Sequence, residues 1–103
     1  MPETLGIFVA GDGNFSHLVG LARAAVRQGK QVIVFLTGRG VLFTREPEFE
    51  ETAGLAEITL CRVSLEEYAG WRGQALPGIP PRNISTQARH ADLIDRADRY
   101  LVL

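Results

Sequence analysis

The chain has only one cysteine, Cys61, among its 103 residues. That excludes an intramolecular disulfide and the paired thiols of Cys-x-x-Cys redox chemistry, and it makes a reducing cytoplasm the expected compartment. The two histidines, His17 and His90, are scattered relative to Cys61 with no zinc-ligand spacing, so no metal site is expected. Neither sign of charge dominates. A formal net charge of −1 supplies no general attraction to nucleic acid or to an anionic membrane, and neither is expected as a partner. Long hydrophobic runs are missing too. Met1-Pro2-Glu3-Thr4 carries no basic residue, and the apolar run behind it breaks at Gly11-Asp12-Gly13. It is too short for a signal peptide or a membrane span, which points to a soluble protein.

Several nucleotide and sulfur motifs fail on a single residue. Gly11-Asp12-Gly13 begins like a dinucleotide fingerprint, but the third glycine is replaced by Ser16, and Asp12 would repel a pyrophosphate. No Gly-Lys-Ser/Thr follows these glycines, so a P-loop is excluded as well. A phosphatase-type Cys-x5-Arg would need arginine where Glu67 stands, and a phospho-receiver would need aspartate where Cys61 stands. No cofactor is expected.

What is present is a strand–helix alternation. Hydrophobic content of 46% and charged content of 22% suit one soluble globular domain over residues 1–103. Leu5 to Ala10 and Val32 to Leu36 are continuous apolar runs, as in strands covered on both faces of a parallel sheet. Between them Phe15, Leu18, Val19, Ala22, Ala25 and Val26 recur at helical spacing, with Asn14 as N-cap and Gly29 as stop. Residues 41–54 suggest a short helix from Val41-Leu42-Phe43 and a solvated acidic one from Pro47 to Thr52. Glu57 to Cys61 reads as a third strand. Ser64 with Glu67 fits a capping box, predicting a helix over Leu65 to Ala69 that ends near Gly70. A Gly/Pro-rich connection follows, Trp71 to Pro81, with a short edge strand expected around Arg82 to Ile84. A last helix is expected from about Thr86 to Ala97, with Ala88, Ala91, Ile94 and Ala97 inward and an outer Asp92–Arg96 pair. Tyr100 to Leu103 completes the sheet.

In a parallel sheet the carboxyl ends share one edge, so the loops Gly11–His17, Thr37–Arg45 and Cys61–Ser64 should converge there. Cys61 is the candidate nucleophile, because a thiol at a strand end facing a helix N-terminus is shifted toward thiolate. It is expected to be reachable from solvent or from a cleft between subunits. A buried structural cysteine is the competing reading. His17, in the first turn of the first helix, is placed to hydrogen-bond or deprotonate a thiol on that edge. Arg39, Arg45 and Arg62 fall near it and suit an anionic group. Val41, Leu42, Phe43 and Trp71 give the loops enough apolar surface to suggest self-association.

The chain resembles the DsrE/DsrF-like family of small sulfur-relay proteins, which includes the TusBCD-type subunits. The resemblance is carried by the Ile7-Phe8-Val9 strand with its polar turn and by Gly29-Lys30-Gln31-Val32. Leu60-Cys61 followed by Ser64-Leu65 and the ending Asp95-Arg96-Ala97-Asp98-Arg99-Tyr100-Leu101-Val102-Leu103 add to it. It implies a three-layer α/β/α sandwich with a mainly parallel sheet of four to five strands, assembled as a homo-oligomer, a trimer or hexamer. It also implies a sulfurtransferase or sulfur carrier, with a persulfide held on Cys61 and passed between donor and acceptor proteins. Arg62, the helix from Ser64, His17 and Arg39 are the expected auxiliaries. The family also contains non-catalytic subunits, so the alternative expectation is an oligomeric ligand-binding or scaffold subunit with a structural cysteine.

Overall fold

Two continuous apolar runs set the centre of the molecule. In the computed structural model, which describes the backbone of residues 2–86 and 88–103 and side chains at 2–86 and 92–103, they are β1 (Thr4–Val9) and β2 (Gln31–Leu36). They pair in parallel from Thr4 with Gln31 to Val9 with Leu36. The helix between them, α1 (Phe15–Arg27), turns Leu18, Val19, Ala22 and Ala25 inward, as their spacing predicts. Its end is a Schellman motif. Gly29 takes φ 77°, and the N–H groups of Gly29 and Lys30 donate to the carbonyls of Val26 and Ala25.

Beyond β2 the chain forms a 3-10 segment (Gly38–Arg45), α2 (Phe49–Leu55), β3 (Glu57–Cys61), α3 (Arg62–Ala69), a short β4 (Ile84–Ser85), α4 (Ala88–Arg96) and β5 (Arg99–Val102). The sheet has five strands in the order β4-β3-β2-β1-β5, all parallel. This is the α/β sandwich expected from the alternation. The first four strands step one way across the sheet and β5 returns to the far side of β1, which places helices on both faces.

The two faces are covered unequally. On the front face Leu5, Ile7, Val9, Val32, Val34, Leu36, Ile58 and Leu60 form one core with inward residues of α1, with Phe49 of α2 and with Leu65 of α3. On the back face Ile33, Phe35, Cys61 and Leu93 of α4 belong to a second, smaller core, with Phe8 and Tyr100 at its margin. Gly6 permits that contact. A Cβ on Gly6 would lie 2.9 Å from the Ala97 Cβ and 3.0 Å from a Leu93 methyl.

Several expectations are corrected. Phe49 and Thr52 are buried, so α2 is amphipathic and not a solvated acidic helix. In α4 Leu93, at 2% exposure, and just past its end Ala97, against Gly6, face inward, whereas Ile94 is 47% exposed; Ala88 and Ala91 lie outside the described side chains. The register is set by Leu93 filling the space above Gly6, which alanine spacing alone does not reveal. The outer Asp92–Arg96 pair is present at 3.9 Å, and Arg96 also meets Glu57 at 2.8 Å. The capping box at Ser64 does not form as a cap, because α3 begins two residues earlier, at Arg62. Val41 and Phe43 are fully buried in their own chain, and Leu42 and Trp71 are half-buried. The apolar loop surface from which self-association was argued is thus largely consumed internally. Among the described residues no helix is long and apolar enough to cross a membrane.

After β2 the chain folds back over the end of β1, with the Thr37 N–H donating to the Val9 carbonyl at 2.9 Å. Gly40 is pressed on the Val9 backbone so closely that a Cβ would overlap the carbonyl. Gly40→Ala should therefore cost about 2 kcal/mol or more, since backbone and not a pliable side chain has to move. Denaturant unfolding checks this; a loss no larger than a few tenths would show that the segment yields freely.

Candidate functional site

Cys61 is the last residue of β3 and the N-cap of α3, with no loop between. The strand pleat decides its direction. Leu60 points to the front core, so Cys61 points to the back face, on the side of Phe35. Leu36 pairs with Leu60 and Ser85 with Cys61, so Thr37 and Ser85 flank the cysteine on the neighbouring strand ends.

The thiol has an apolar side and a polar side. Burial pushes its pKa up and is the largest single influence. Hydrogen bonding from the Ser64 hydroxyl and N–H, the Thr37 hydroxyl and the Val63 N–H pulls it down, and together these prevail, leaving the thiol below its ordinary value. The same polar groups hold the loops together. The Gly38 N–H donates to the Ser64 hydroxyl at 2.8 Å, and that hydroxyl lies 3.4 Å from the Thr37 hydroxyl. Ser64 is therefore a clamp between the β2 loop and α3 as well as a partner of the sulfur.

The structure brings the three carboxyl-edge loops together, but not every candidate side chain. Arg39 bridges loops: its Nε lies 3.2 Å from an Asp12 carboxylate oxygen, and its guanidinium sits 6.0 Å from the Tyr68 ring centre. Arg62 turns toward Trp71, 5.8 Å from that ring centre, and lies 3.8 Å from Glu66. His17 is exposed and lies 3.4 Å from the Asn14 side chain, on a helix that packs against the front face. It is not brought to Cys61, which lies on the back face with β2 intervening between β1 and β3. Arg45 is exposed on the edge, and the side chain of His90 is outside those described. Among the described residues no cluster of His, Cys, Asp and Glu could hold a metal ion.

One expectation about the thiol is corrected. Cys61 is only 4% exposed, so within the chain its sulfur is not open to solvent. A strand-end position implies an open edge, but the sulfur is turned into the back-face core beside Phe35. Thr37 and Ser85 were missed as neighbours of the sulfur; the parallel register, one step past Leu36 and Leu60, is what would have located Thr37.

No family model matches the chain, and no curated protein matches its sequence.

Two results are expected from this geometry. The folded thiol titrates below the unfolded one, so it contributes stability that is complete above the unfolded pKa and is lost as pH falls through the folded pKa. The stability difference between the protein and Cys61→Ser should consequently grow in the protein's favour as pH rises through that window. A difference independent of pH, from urea unfolding at a series of pH values, would contradict the polar stabilisation. Separately, Gly6→Ala should push on Ala97 and Leu93 and cost about 1–3 kcal/mol, which denaturant unfolding checks. A loss of no more than a few tenths would show that α4 shifts freely away from Gly6.

Proposed function

We propose that the protein is a sulfur carrier that holds sulfane sulfur as a persulfide on Cys61. The observation that carries this reading is a buried thiol whose pKa nevertheless lies below the ordinary value, because Ser64, Thr37 and Val63 supply hydrogen bonds to its anion. A structural cysteine in an apolar site would shift the other way.

In the chemistry proposed, the Cys61 thiolate attacks the outer sulfur of a donor persulfide. A new sulfur–sulfur bond forms, the donor's own sulfur–sulfur bond breaks, and the donor leaves as thiolate. In the second step an acceptor thiolate attacks the outer sulfur now on Cys61 and releases the Cys61 thiolate. Neither step changes the overall oxidation level, so no external oxidant or cofactor enters. The hydroxyls and amides at the β3–α3 join stabilise the anion when it is regenerated. Because Cys61 is 4% exposed, access requires the groups around it to open locally or be displaced by a partner. Arg62 and His17 take no direct part on their observed placement, and Arg39 organises the loops around the site.

The 4% exposure of Cys61 favours a second reading, an oligomeric binding or scaffold subunit in which the cysteine is structural. Intact mass separates the two. After incubation with a small-molecule polysulfide, removal of excess reagent and no reduction, the carrier should gain the mass of one sulfur, which a thiol acceptor then removes. Cys61→Ser should gain nothing. A wild-type protein that stays at its starting mass would support the structural reading.

A further inference from the structure

A cavity of about 400 Å³ lies beside the β3–α3 join on the side away from the thiol. Buried Ile79 with half-buried Leu76 and Ile84 forms its floor, half-buried Trp71 its wall, and exposed Arg62 and Pro81 part of its rim. These floor and wall residues pack against the front core, whereas Cys61 belongs to the back face, so the cavity is separate from the sulfur site. Its size lies within the range of small-molecule pockets.

Two features give the cavity a chemical preference. The indole is fixed in place: its Nε1–H donates to the Gln74 carbonyl at 2.8 Å, and the Trp71 N–H donates to the Leu65 carbonyl at 3.2 Å. Among the described residues no acidic side chain lines the cavity, while the Arg62 guanidinium stands over the Trp71 ring, 5.8 Å from its centre. Its ion pair with Glu66 is long, at 3.8 Å, and both side chains are largely solvated, so an incoming anion meets little competition. A planar guanidinium of this kind takes a carboxylate through two parallel hydrogen bonds.

We infer that this cavity binds a small carboxylate carrying an aromatic ring. The carboxylate pairs with Arg62, and the ring rests on Trp71 with Leu76 and Ile84 beneath it. The inference goes beyond the sulfur chemistry and does not depend on it.

Trp71 is the chain's single tryptophan, so intrinsic fluorescence reports on this cavity without labelling. Titration of the full chain with phenylacetate should give a saturable change with a dissociation constant of about 1 mM or tighter. The neutral isostere phenylacetamide should bind at least about tenfold more weakly, and Arg62→Gln should remove that preference by weakening phenylacetate alone. Ala75→Phe, at the exposed rim, should narrow the cavity and weaken both probes, with circular dichroism confirming that each variant is folded. A strictly linear, collisional response to phenylacetate would overturn the inference. Equal binding of acid and amide, or an Arg62→Gln protein with undiminished acid preference, would overturn it as well.

Discussion

No residue separates the strand that ends at Cys61 from the helix that begins at Arg62. That direct join constrains everything nearby. The pleat has sent Leu60 to the front core, so Cys61 must face the back, and because α3 starts at once the sulfur sits at the helix N-terminus. The following turn then places the Val63 and Ser64 N–H groups where they act on it. An inserted residue would rotate the start of α3 relative to the strand. The Ser64 hydroxyl would lose the Gly38 N–H, and the thiol its polar side.

The site results from two opposing environments that meet at one atom. Burial in the back-face core beside Phe35 favours the neutral thiol, and the hydroxyls and amides favour the anion. The depressed pKa shows the second group prevailing. The same burial limits access, and the unequal layers matter here. The front core draws on three helices and the 3-10 segment, but the back face is covered by α4, held through Leu93, the close approach over Gly6 and the Arg96–Glu57 pair. Displacing one helix of nine residues is a smaller rearrangement than opening the front core.

Much of the fold was legible in the sequence. The apolar runs of β1 and β2 and the three-and-four spacing of α1 declare themselves because burial on both faces, or on one helical face, leaves a periodic trace. The parallel order and the convergence of three loops at one edge follow from that alternation. Long-range packing was not legible. Phe43 looks like loop surface until the 3-10 segment folds it against Phe15 and Phe49, with ring centres 5.2 and 5.9 Å away. Leu93 was passed over in favour of an alanine stripe because the space it fills is made by Gly6, far away in sequence. Ser64 reads as a cap by local spacing, but its hydroxyl is taken up by the Gly38 N–H and by Thr37 and Cys61. Cys61 stands at the strand end that the sequence predicts, but its burial in the back-face core is not visible in local spacing.

The chemistry of this site depends on the protonation state of one sulfur. With a single cysteine in the chain, carbon-13 labelling at the cysteine β-carbon gives one signal whose shift follows ionisation of Cys61 directly. Measured across pH in the folded protein and again in denaturant, the folded midpoint should lie below the unfolded one, and Ser64→Ala should move it upward. A folded midpoint at or above the unfolded value would show that burial prevails, and Cys61 would then be a structural residue.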